Sequence, residues 1–447
     1  MKKSKNAVTV NNATTSCRIL AKDYRVSNDG RKTGLNGNDL VVGAPGAGKT
    51  GGYVTPNLLT VDHSMVVADT KGLLNRKYRR YLEKKGFRVV CIDFVNSEKS
   101  ATYNMLDFVS WYDESFVNED GSEGTRSVYR QKDLKKIANA LLPDSTYRSD
   151  DIFWTSSARS VLVSLMAYVL EATDPASHHM GTVVTFFQQM VQEVAEYENS
   201  SSAEKKEWQG VSFFKNLEAE DPDSFAVRMY KMYSGNFQAE KCWSSIVQFV
   251  ANALEVFTYR EVRPLFYGNS TLDLADLGRE KTILFVNISD TDRSMDAIVN
   301  VFYTQLLQTL CDEADRHEDG QLEVPVRIIL DDFAANVYIP DFDKIISVIR
   351  SRRVSVSVIL QSLSQLDGMY KDGKARTIIS NCDCKVFLGG QESETAKSIA
   401  DMAGRLPETI MNMESDQVLV FVRGQQPKML EKVPPYSLDR MMEEQME

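Results

Sequence analysis

Short apolar runs alternate with amphipathic stretches near both ends of this 447-residue chain. Close to the amino terminus, the runs at 39–43, 64–68 and 88–93 are rich in Val and other β-branched residues, which is typical of strands. Between the last two, residues 73–85 have helical spacing, and Gly86 follows at the position where a helix commonly ends. Strands that alternate with helices predict a parallel α/β sheet.

The same alternation returns after residue 280. The patterns there predict, in order, a strand at 282–288, a helix at 297–315, a strand at 326–330, a helix at 342–350, strands at 354–360 and 385–388, a helix at 394–403 and a strand at 418–422. Two α/β segments that lie far apart in the sequence indicate one sheet built from both ends of the chain.

The middle of the chain follows a different pattern, in which acidic and serine-rich linkers separate amphipathic segments. The segments with helical spacing are 134–142, 154–171, 183–197 and 243–257. We therefore predict four regions: a flexible segment at 1–17, the first part of an α/β domain at 18–106, an inserted all-α domain at 107–260, and the second part of the α/β domain at 261–447.

Composition narrows the class of protein without identifying it. Hydrophobic residues make up 43% and charged residues 26% of the chain, as in an ordinary globular protein. The net charge of −10 argues against a surface coated with basic residues, although a narrow basic pore stays compatible with it. The six cysteines and four histidines show no metal-ligand spacing, so free thiols in a reducing cytoplasm are expected. Neither a signal peptide nor an apolar run of 18 residues is found.

A phosphate-binding loop follows the first predicted strand. Its sequence G-A-P-G-A-G-K-T fits the pattern G-x-x-x-x-G-K-[ST], and it opens a segment that could begin a helix. The eight residues are Gly43, Ala44, Pro45, Gly46, Ala47, Gly48, Lys49 and Thr50. Backbone N–H groups of such a loop cradle phosphates, while Lys49 would reach the β- and γ-phosphates and Thr50 would bind Mg2+. The sequence lacks the N-K-x-D element of guanine-specific proteins, so we predict ATP and Mg2+ as the ligands.

A second part of the site is predicted at the ends of two later strands. Asp331 and Asp332 follow the apolar run 326–330, which is the Walker B arrangement. Asp331 would hold Mg2+ through water, and Asp332 would polarise the attacking water. The strand 354–360 is followed by Gln361, whose amide could bond the water or the γ-phosphate. Taken alone, a Gln at a strand end is more often a turn residue.

A basic cluster, Ile349–Arg353, precedes the strand that ends at Gln361. An arginine placed across a subunit interface can stabilise the charge of the transition state, and Arg350 is the candidate for that role. The alternative is a solvated basic helix end, which the helix dipole favours. From the pattern alone, the second interpretation is the more common one.

Further motifs follow one another in an order that one family shares. The chain resembles type IV secretion coupling ATPases of the TraG/TraD conjugative DNA-transfer family, which are related to the FtsK/HerA motors. The resemblance extends from about Arg18 to Gly424. Besides the phosphate loop, its carriers are Ala68–Gly72, Thr102–Leu106, Asp151–Trp154, Leu330–Ala334, Ile339–Phe342, Ile349–Arg352, Ile359–Ser362, Asn381–Asp383 and Leu388–Gly390.

This resemblance implies a RecA-like core with an inserted all-α domain, assembled as a homo-hexameric ring around a channel. It implies ATP hydrolysis coupled to DNA transport, and docking of a relaxase or relaxosome to the components of a secretion channel. By motif position, Asp331 is the metal-side carboxylate, Asp332 the catalytic one and Gln361 the sensor, while Arg350 is the best arginine-finger candidate. The strand state of the DNA and the oligomeric state in isolation, down to a monomer, stay open.

Three features depart from the family. Many members have Asp-Pro-Lys-Gly where this chain has Asp69-Thr-Lys-Gly, and Asp-Glu where it has Asp331-Asp332. The shorter carboxylate of Asp332 predicts slow hydrolysis unless the backbone compensates. Typical members begin with two transmembrane helices that this sequence does not show, so we expect either a soluble form or a separate membrane-anchoring partner. The expected location is the cytoplasm, with recruitment to the inner face of the membrane.

Two other functions stay open from the sequence. One is an ATP-gated module that docks secretion substrates with little turnover, which the short Asp332 side chain favours. The other is a DNA pump unrelated to secretion, which the phosphate loop and the Walker B carboxylates alone would permit. DNA-stimulated ATP hydrolysis separates the motor from the docking module.

Overall fold

The computed structural model describes residues 16–117, 122–143, 152–333, 337–439 and 442. Most of the segment predicted to be flexible, residues 1–17, lies outside the described residues, and Cys17 already begins a strand. Two motif residues, Asp151 and Ala334, also lie outside them. The chain forms two compact units. The α/β unit comprises Met1–Val95, Asp273–Arg293 and Leu307–Glu447, and the helical unit comprises Asn96–Leu272 and Ser294–Leu306.

The strands are short and, in the α/β unit, mostly buried. They are β1 Cys17–Ala21, β2 Tyr24–Ser27, β3 Asp39–Val42, β4 Ser64–Asp69, β5 Arg88–Asp93, β6 Trp111–Val117, β7 Glu123–Tyr129, β8 Thr282–Asn287, β9 Val326–Leu330, β10 Val354–Leu360, β11 Cys384–Phe387, β12 Gln417–Val422 and β13 Lys428–Glu431. The strands predicted from apolar runs are confirmed to within one or two residues, whereas β1, β2, β6, β7 and β13 were not predicted.

The helices include several of a single turn. They are α1 Gly30–Thr33, α2 Thr55–Leu59, α3 Leu73–Lys84, α4 Gln131–Leu141, α5 Ile152–Ala172, α6 Met180–Asn199, α7 Ser202–Glu207, α8 Ser212–Glu220, α9 Phe225–Tyr233, α10 Glu240–Leu254, α11 Arg263–Phe266, α12 Asp276–Arg279, α13 Asp296–Asp315, α14 Phe342–Val348, α15 Leu363–Met369, α16 Lys374–Ser380, α17 Ser393–Ala403 and α18 Pro407–Met411. The helix predicted at 342–350 ends earlier, because the chain tightens into a 3₁₀ turn at Ile349–Arg352.

Nine strands form the main sheet of the α/β unit, in the order β13-β12-β11-β3-β10-β9-β4-β8-β5. Neighbouring strands from β11 to β5 run parallel, while β12 and β13 are two antiparallel strands at one side of the sheet. Every residue of β4, β8 and β9 is buried, as expected for parallel strands covered on both faces. The predicted mostly parallel sheet, built from both ends of the chain, is confirmed.

The strand order decides where a ligand can bind. The strand β3 lies between β10 and β11, and the central strand β10 lies between β3 and β9. Because these strands are parallel, the residues that follow β3, β9 and β10 meet at one edge of the sheet. In open α/β sheets, ligands bind outside the carboxyl ends of the strands.

The helical unit is built around α5, which packs against α4, α6, α9 and α10. Its interior is aromatic: the rings of Phe214 and Tyr230 stack with centroids 4.4 Å apart, and the hydroxyls of Tyr233 and Ser164 are 2.8 Å apart. Among the described helices, Phe153–Ala172 alone is long and apolar enough to cross a bilayer, and 61% of that stretch is buried in the structure. Such burial is what a core helix shows.

The prediction that residues 107–260 are all-α is wrong in one part. The strands β6 and β7 pair as an antiparallel hairpin, with Glu114 and Arg126 in an ion pair at 2.7 Å. Most of β6 is exposed. Its sequence therefore lacks the alternation of apolar and polar positions from which a half-buried strand could be predicted. The compact helical unit also begins at Asn96 and includes Ser294–Leu306.

A buried charge cluster ties β1, β3 and β9 together. The Asp39 carboxylate, fully buried, accepts from Arg18 Nε at 2.8 Å, Tyr53 Oη at 2.7 Å and Arg327 Nη1 at 3.3 Å. Burial opposes the charge of Arg18, but attraction to Asp39 exceeds this effect and raises its pKa, whereas burial lowers the pKa of Arg327. One carboxylate thus compensates two buried guanidinium groups.

Replacing Asp39 with Asn should therefore destabilise the α/β unit strongly. The change keeps the size of the side chain but leaves two buried cations without a counter-charge, which costs about 3–5 kcal/mol. Urea unfolding followed by circular dichroism measures the loss. The control is Glu394→Gln, which removes an exposed ion pair to Lys397 and should shift stability by less than about 1 kcal/mol. Equal midpoints for the two variants would contradict the assigned role of Asp39.

Candidate nucleotide site

The phosphate loop Gly43–Thr50 leaves the carboxyl end of β3. Its first residues are held by the neighbouring strands: Gly43 N donates to Leu360 O at 3.1 Å, and Ala44 N donates to Gly389 O at 3.0 Å. The second bond involves the Leu388–Gly390 motif, in which Gly389 has φ of 95°, a conformation that residues with a Cβ rarely adopt. The end of β11 thus packs directly against the loop.

Glycines shape the loop for different reasons. Gly46 and Gly48 have φ of 77° and 95°, a conformation that side chains with a Cβ rarely adopt. Gly43 is required by space, because a Cβ there would lie 2.9 Å from Leu388 Cβ. The loop backbone can therefore curl inward with its N–H groups toward an anion.

Lys49 lies inside this curl with 8% of its surface exposed. Its Nζ donates to Gly43 O at 2.9 Å and to Ala44 O at 3.3 Å. The chain then continues as one π-helical turn, Thr50–Val54, and as α2. Single π-turns in helices frequently occur at functional sites. An ammonium group held by carbonyl oxygens is placed to exchange them for phosphate oxygens.

Thr50 and Asp331 meet beside the loop. Thr50 Oγ1 donates to Asp331 Oδ2 at 2.7 Å, and the Asp331 residue is 7% exposed. Burial, together with the nearby Asp332, raises the pKa of Asp331 to about 6, although the hydrogen bond from Thr50 and the charge of Lys49 oppose this rise. A carboxylate and a hydroxyl are oxygen ligands suited to Mg2+, and a cation would stabilise the ionised form.

The two oxygen donors fit a magnesium ion that is completed by phosphate and water. Within the described part of the chain, no cluster of three His, Cys, Asp or Glu side chains could hold a metal ion unaided. Mg2+ usually keeps several waters and binds through one or two protein groups together with substrate phosphates. Thr50 and Asp331 match that requirement.

Asp332 adopts an unusual backbone conformation with φ of 50°. Its N–H donates to Asp331 Oδ1 at 3.1 Å, and its Oδ1 lies 3.4 Å from Gln361 Nε2. Asp and Asn occupy left-handed conformations more readily than other non-glycine residues. This preference gives a physical reason for Asp at this position, where the resemblance described above would predict Glu.

Arg350 lies away from these groups. It is exposed in the 3₁₀ turn Ile349–Arg352, before the first residue of β10, whereas Gln361 follows the last. Seven residues of strand separate the two positions, roughly 20 Å. Within one chain, the structure therefore brings together Lys49, Thr50, Asp331, Asp332 and Gln361 but not Arg350.

A cleft of about 1250 Å³ opens at the amino ends of the strands. Arg31, Arg350, Arg352 and Arg353 contribute to its walls. Arg352 pairs with Asp315 at 2.9 Å, and Arg353 donates to Leu322 O at 2.9 Å, whereas the guanidinium of Arg350 contacts no partner among the described residues. Because this cleft lies at the opposite end of the sheet from the phosphate loop, we do not assign the nucleotide to it.

One part of the site was missed by the sequence analysis. The segment Lys432–Asp439 follows β13 and reaches the phosphate loop, where Lys432 Nζ donates to Ala47 O at 3.2 Å. Tyr436 N donates to Gly51 O at 3.2 Å. The only sequence signal was Pro434-Pro435-Tyr436, an apolar group after the last strand.

Comparison with known proteins gives consistent results. The sequence matches the family described as "Type IV secretory system Conjugative DNA transfer" over residues 3–406. It is 24% identical to Protein VirD4 of Rhizobium radiobacter over 447 aligned residues, which covers 92% of this chain and 59% of that protein. The chain thus spans about three fifths of the length of this curated relative.

Solved structures share the fold. The plasmid coupling protein TrwB in complex with ADP and Mg2+ superimposes with a TM-score of 0.64 at 14% identity, covering 94% of this chain and 90% of that one. TrwB in complex with the non-hydrolysable ATP analogue ADPNP gives 0.63 at 14% identity, with 94% and 89% covered. At this identity the likeness establishes the fold alone, and it confirms the predicted RecA-like α/β architecture.

Proposed function

The chain belongs to the type IV secretory system conjugative DNA-transfer family, and from that premise we propose that it is an ATP-hydrolysing coupling protein. It delivers relaxase-bound DNA to a secretion channel and drives the transfer with ATP. The observation that carries this proposal is the meeting of Lys49, the Thr50–Asp331 pair and Asp332 at one edge of the sheet. These are the groups that bind phosphate, hold Mg2+ and activate water.

Each residue of the site has a role in ATP hydrolysis that follows from its position. Lys49 and the loop N–H groups bind and orient the triphosphate, while Thr50 and Asp331 hold the metal, which neutralises charge that develops on the phosphates. Asp332 accepts a hydrogen bond from the attacking water and draws off its proton, and Gln361, 3.4 Å from Asp332, orients that water. Phosphoryl transfer depends mainly on such positioning and on electrostatic stabilisation.

The partners follow from the family. We propose DNA, a relaxase or relaxosome, and components of a type IV secretion channel, with the helical unit, predicted at 107–260, as the part that faces substrate. The working form is a homo-hexamer on the cytoplasmic face of the inner membrane, recruited there through its partners. In that ring, Arg350 reaches the nucleotide of the neighbouring subunit, which its exposure permits.

The test is the ATPase rate as a function of protein concentration, with and without single- or double-stranded DNA. The proposal predicts stimulation by DNA and a more than linear rise with concentration. When wild-type and Arg350→Ala subunits are mixed, the ATPase rate should then fall by more than the fraction of variant subunits. The matched control is Arg405→Ala, which removes another exposed arginine of the α/β unit and should leave the rate unchanged. An ATPase rate proportional to the wild-type fraction would show that Arg350 does not act on the nucleotide of a neighbouring subunit.

A second function, ATP-gated docking with little turnover, is favoured by the short carboxylate of Asp332 in its left-handed conformation. The same measurements decide between the two. Tight binding of ATP and Mg2+, with nucleotide-dependent binding of a relaxase and no DNA-stimulated hydrolysis, would establish the docking module instead.

A further inference from the structure

The segment Lys432–Asp439, here the C-terminal segment, is fixed to the phosphate loop and its helix at several points. Lys432 Nζ donates to Ala47 O at 3.2 Å, and Tyr436 N donates to Gly51 O at 3.2 Å. At its far end, Asp439 accepts from Tyr78 Oη at 2.8 Å and forms an ion pair with Lys77. The segment therefore has a defined position beside the loop.

Pro435 and Tyr436 pack against the residue that follows Thr50. A Cβ built on Gly51 would lie 2.9 Å from Pro435 Cβ and 3.2 Å from Tyr436 Cε2. Tyr436 also has φ of 60°, which is costly for an aromatic residue, and 50% of its surface is exposed. The segment thus holds an aromatic ring at the loop without burying it.

The polarity of a bound nucleotide follows from the loop. Thr50, Asp331 and Asp332 mark the end that receives the γ-phosphate, and the loop N–H groups cradle the α- and β-phosphates. The nucleoside must leave the loop on the side away from the carboxylates. Gly51 follows Thr50 in the chain, and the groups packed on it are Pro435 and Tyr436.

We propose that the C-terminal segment forms the nucleoside subsite, in which the Tyr436 ring stacks on the base and Pro435 contacts the ribose. This inference rests on the proposed ATP-binding function and adds the residue that receives the base. The Lys77 ammonium, 4.9 Å from the centre of the Tyr436 ring, helps to hold the ring in place.

The chemistry of stacking sets the specificity. An aromatic ring stacks on the π-face of a base, which adenine and guanine both have. It makes no hydrogen bonds to the groups on the base edges, so it does not distinguish the two bases. Tyr436 should therefore strengthen the binding of ATP and GTP to a similar extent. It should contribute nothing to a ligand that has phosphates but no nucleoside.

The experiment measures Kd by calorimetry, in the presence of Mg2+, for ATP, GTP and inorganic tripolyphosphate with the full chain. Tyr436→Ala should weaken the binding of ATP and GTP roughly 5- to 150-fold, which is the range that base stacking on an aromatic side chain contributes. Tripolyphosphate should bind unchanged, and Tyr436→Phe should restore the affinity for nucleotides. The control is Tyr112→Ala, which removes a similarly exposed tyrosine of the helical unit.

Three results would overturn the subsite. Unchanged affinity for ATP in Tyr436→Ala would show that the ring does not touch the base. Tighter binding would show that the segment obstructs the loop in competition with nucleotide. Equal weakening of ATP and tripolyphosphate would also contradict the subsite, because it would mean that the loop itself had been disturbed. Failure of the wild-type chain to bind ATP would instead refute the proposed function.

Discussion

Lys49→Ala should abolish ATP turnover and weaken the binding of ATP and Mg2+ by roughly 30- to 5,000-fold. The estimate corresponds to about 2–5 kcal/mol for the loss of one partner from a buried charge contact. Lys49 Nζ is held inside the loop by Gly43 O and Ala44 O, so it is positioned before the ligand arrives. The backbone N–H groups cannot replace its charge. Calorimetric titration and a phosphate-release assay measure the two effects.

The control for this variant is Lys385→Ala. Lys385 is half-buried in the same unit and donates to a backbone carbonyl, Cys382 O, at 2.8 Å, but it lies at the start of β11, away from the loop. Its removal should leave ATP affinity within a few-fold of wild type. If Lys49→Ala hydrolysed ATP at the parental rate, the loop would not be the catalytic nucleotide site.

Asp332→Asn should lower ATP hydrolysis roughly 10²- to 10⁴-fold, the contribution typical of a general base. Binding of ATP and Mg2+ should persist, because Asn keeps the size of the side chain and tolerates φ of 50°. Asp331→Asn should act differently. It removes the buried carboxylate bonded to Thr50 and should raise the Mg2+ concentration needed for half-maximal binding about 10- to 100-fold.

Steady-state kinetics across a range of Mg2+ concentrations separates these two effects. High Mg2+ should rescue Asp331→Asn but not Asp332→Asn. The control is Asp341→Asn, since Asp341 also has a positive φ, of 54°, and pairs with Lys344 on the surface. Identical magnesium profiles for the Asp331 and Asp332 variants would show that the two carboxylates do not have separate roles.

The centre of the site could be predicted because strong local patterns encode it. The apolar run 326–330 is buried along its whole length as β9, and a run of that kind can end in carboxylates only at the edge of a sheet. Lys49 and Thr50 follow β3 with the spacing of a phosphate loop. Because β3 and β9 belong to one parallel sheet, the residues that follow them then lie at the same edge of that sheet.

Other features depend on contacts that no local pattern records. The exposed hairpin β6–β7 lacks a buried face, and β1 begins at Cys17, the last residue of the segment predicted to be flexible. The left-handed backbone of Asp332 and the place of Tyr436 beside Gly51 both follow from tertiary packing. Arg350 is exposed at the opposite end of β10, so its proposed role needs a second subunit and stays a prediction.

The strand order also has a consequence for synthesis of the chain. The phosphate-loop strand β3 has both of its neighbours, β10 and β11, in the last third of the sequence, and the bond from Val356 N to Asn38 Oδ1 spans 318 positions. At 5–20 residues per second, a ribosome needs roughly 15 to 60 seconds to supply those neighbours. Until then the apolar strand β3 has no sheet to enter, so the phosphate loop cannot take its folded position before β10 and β11 have been synthesised.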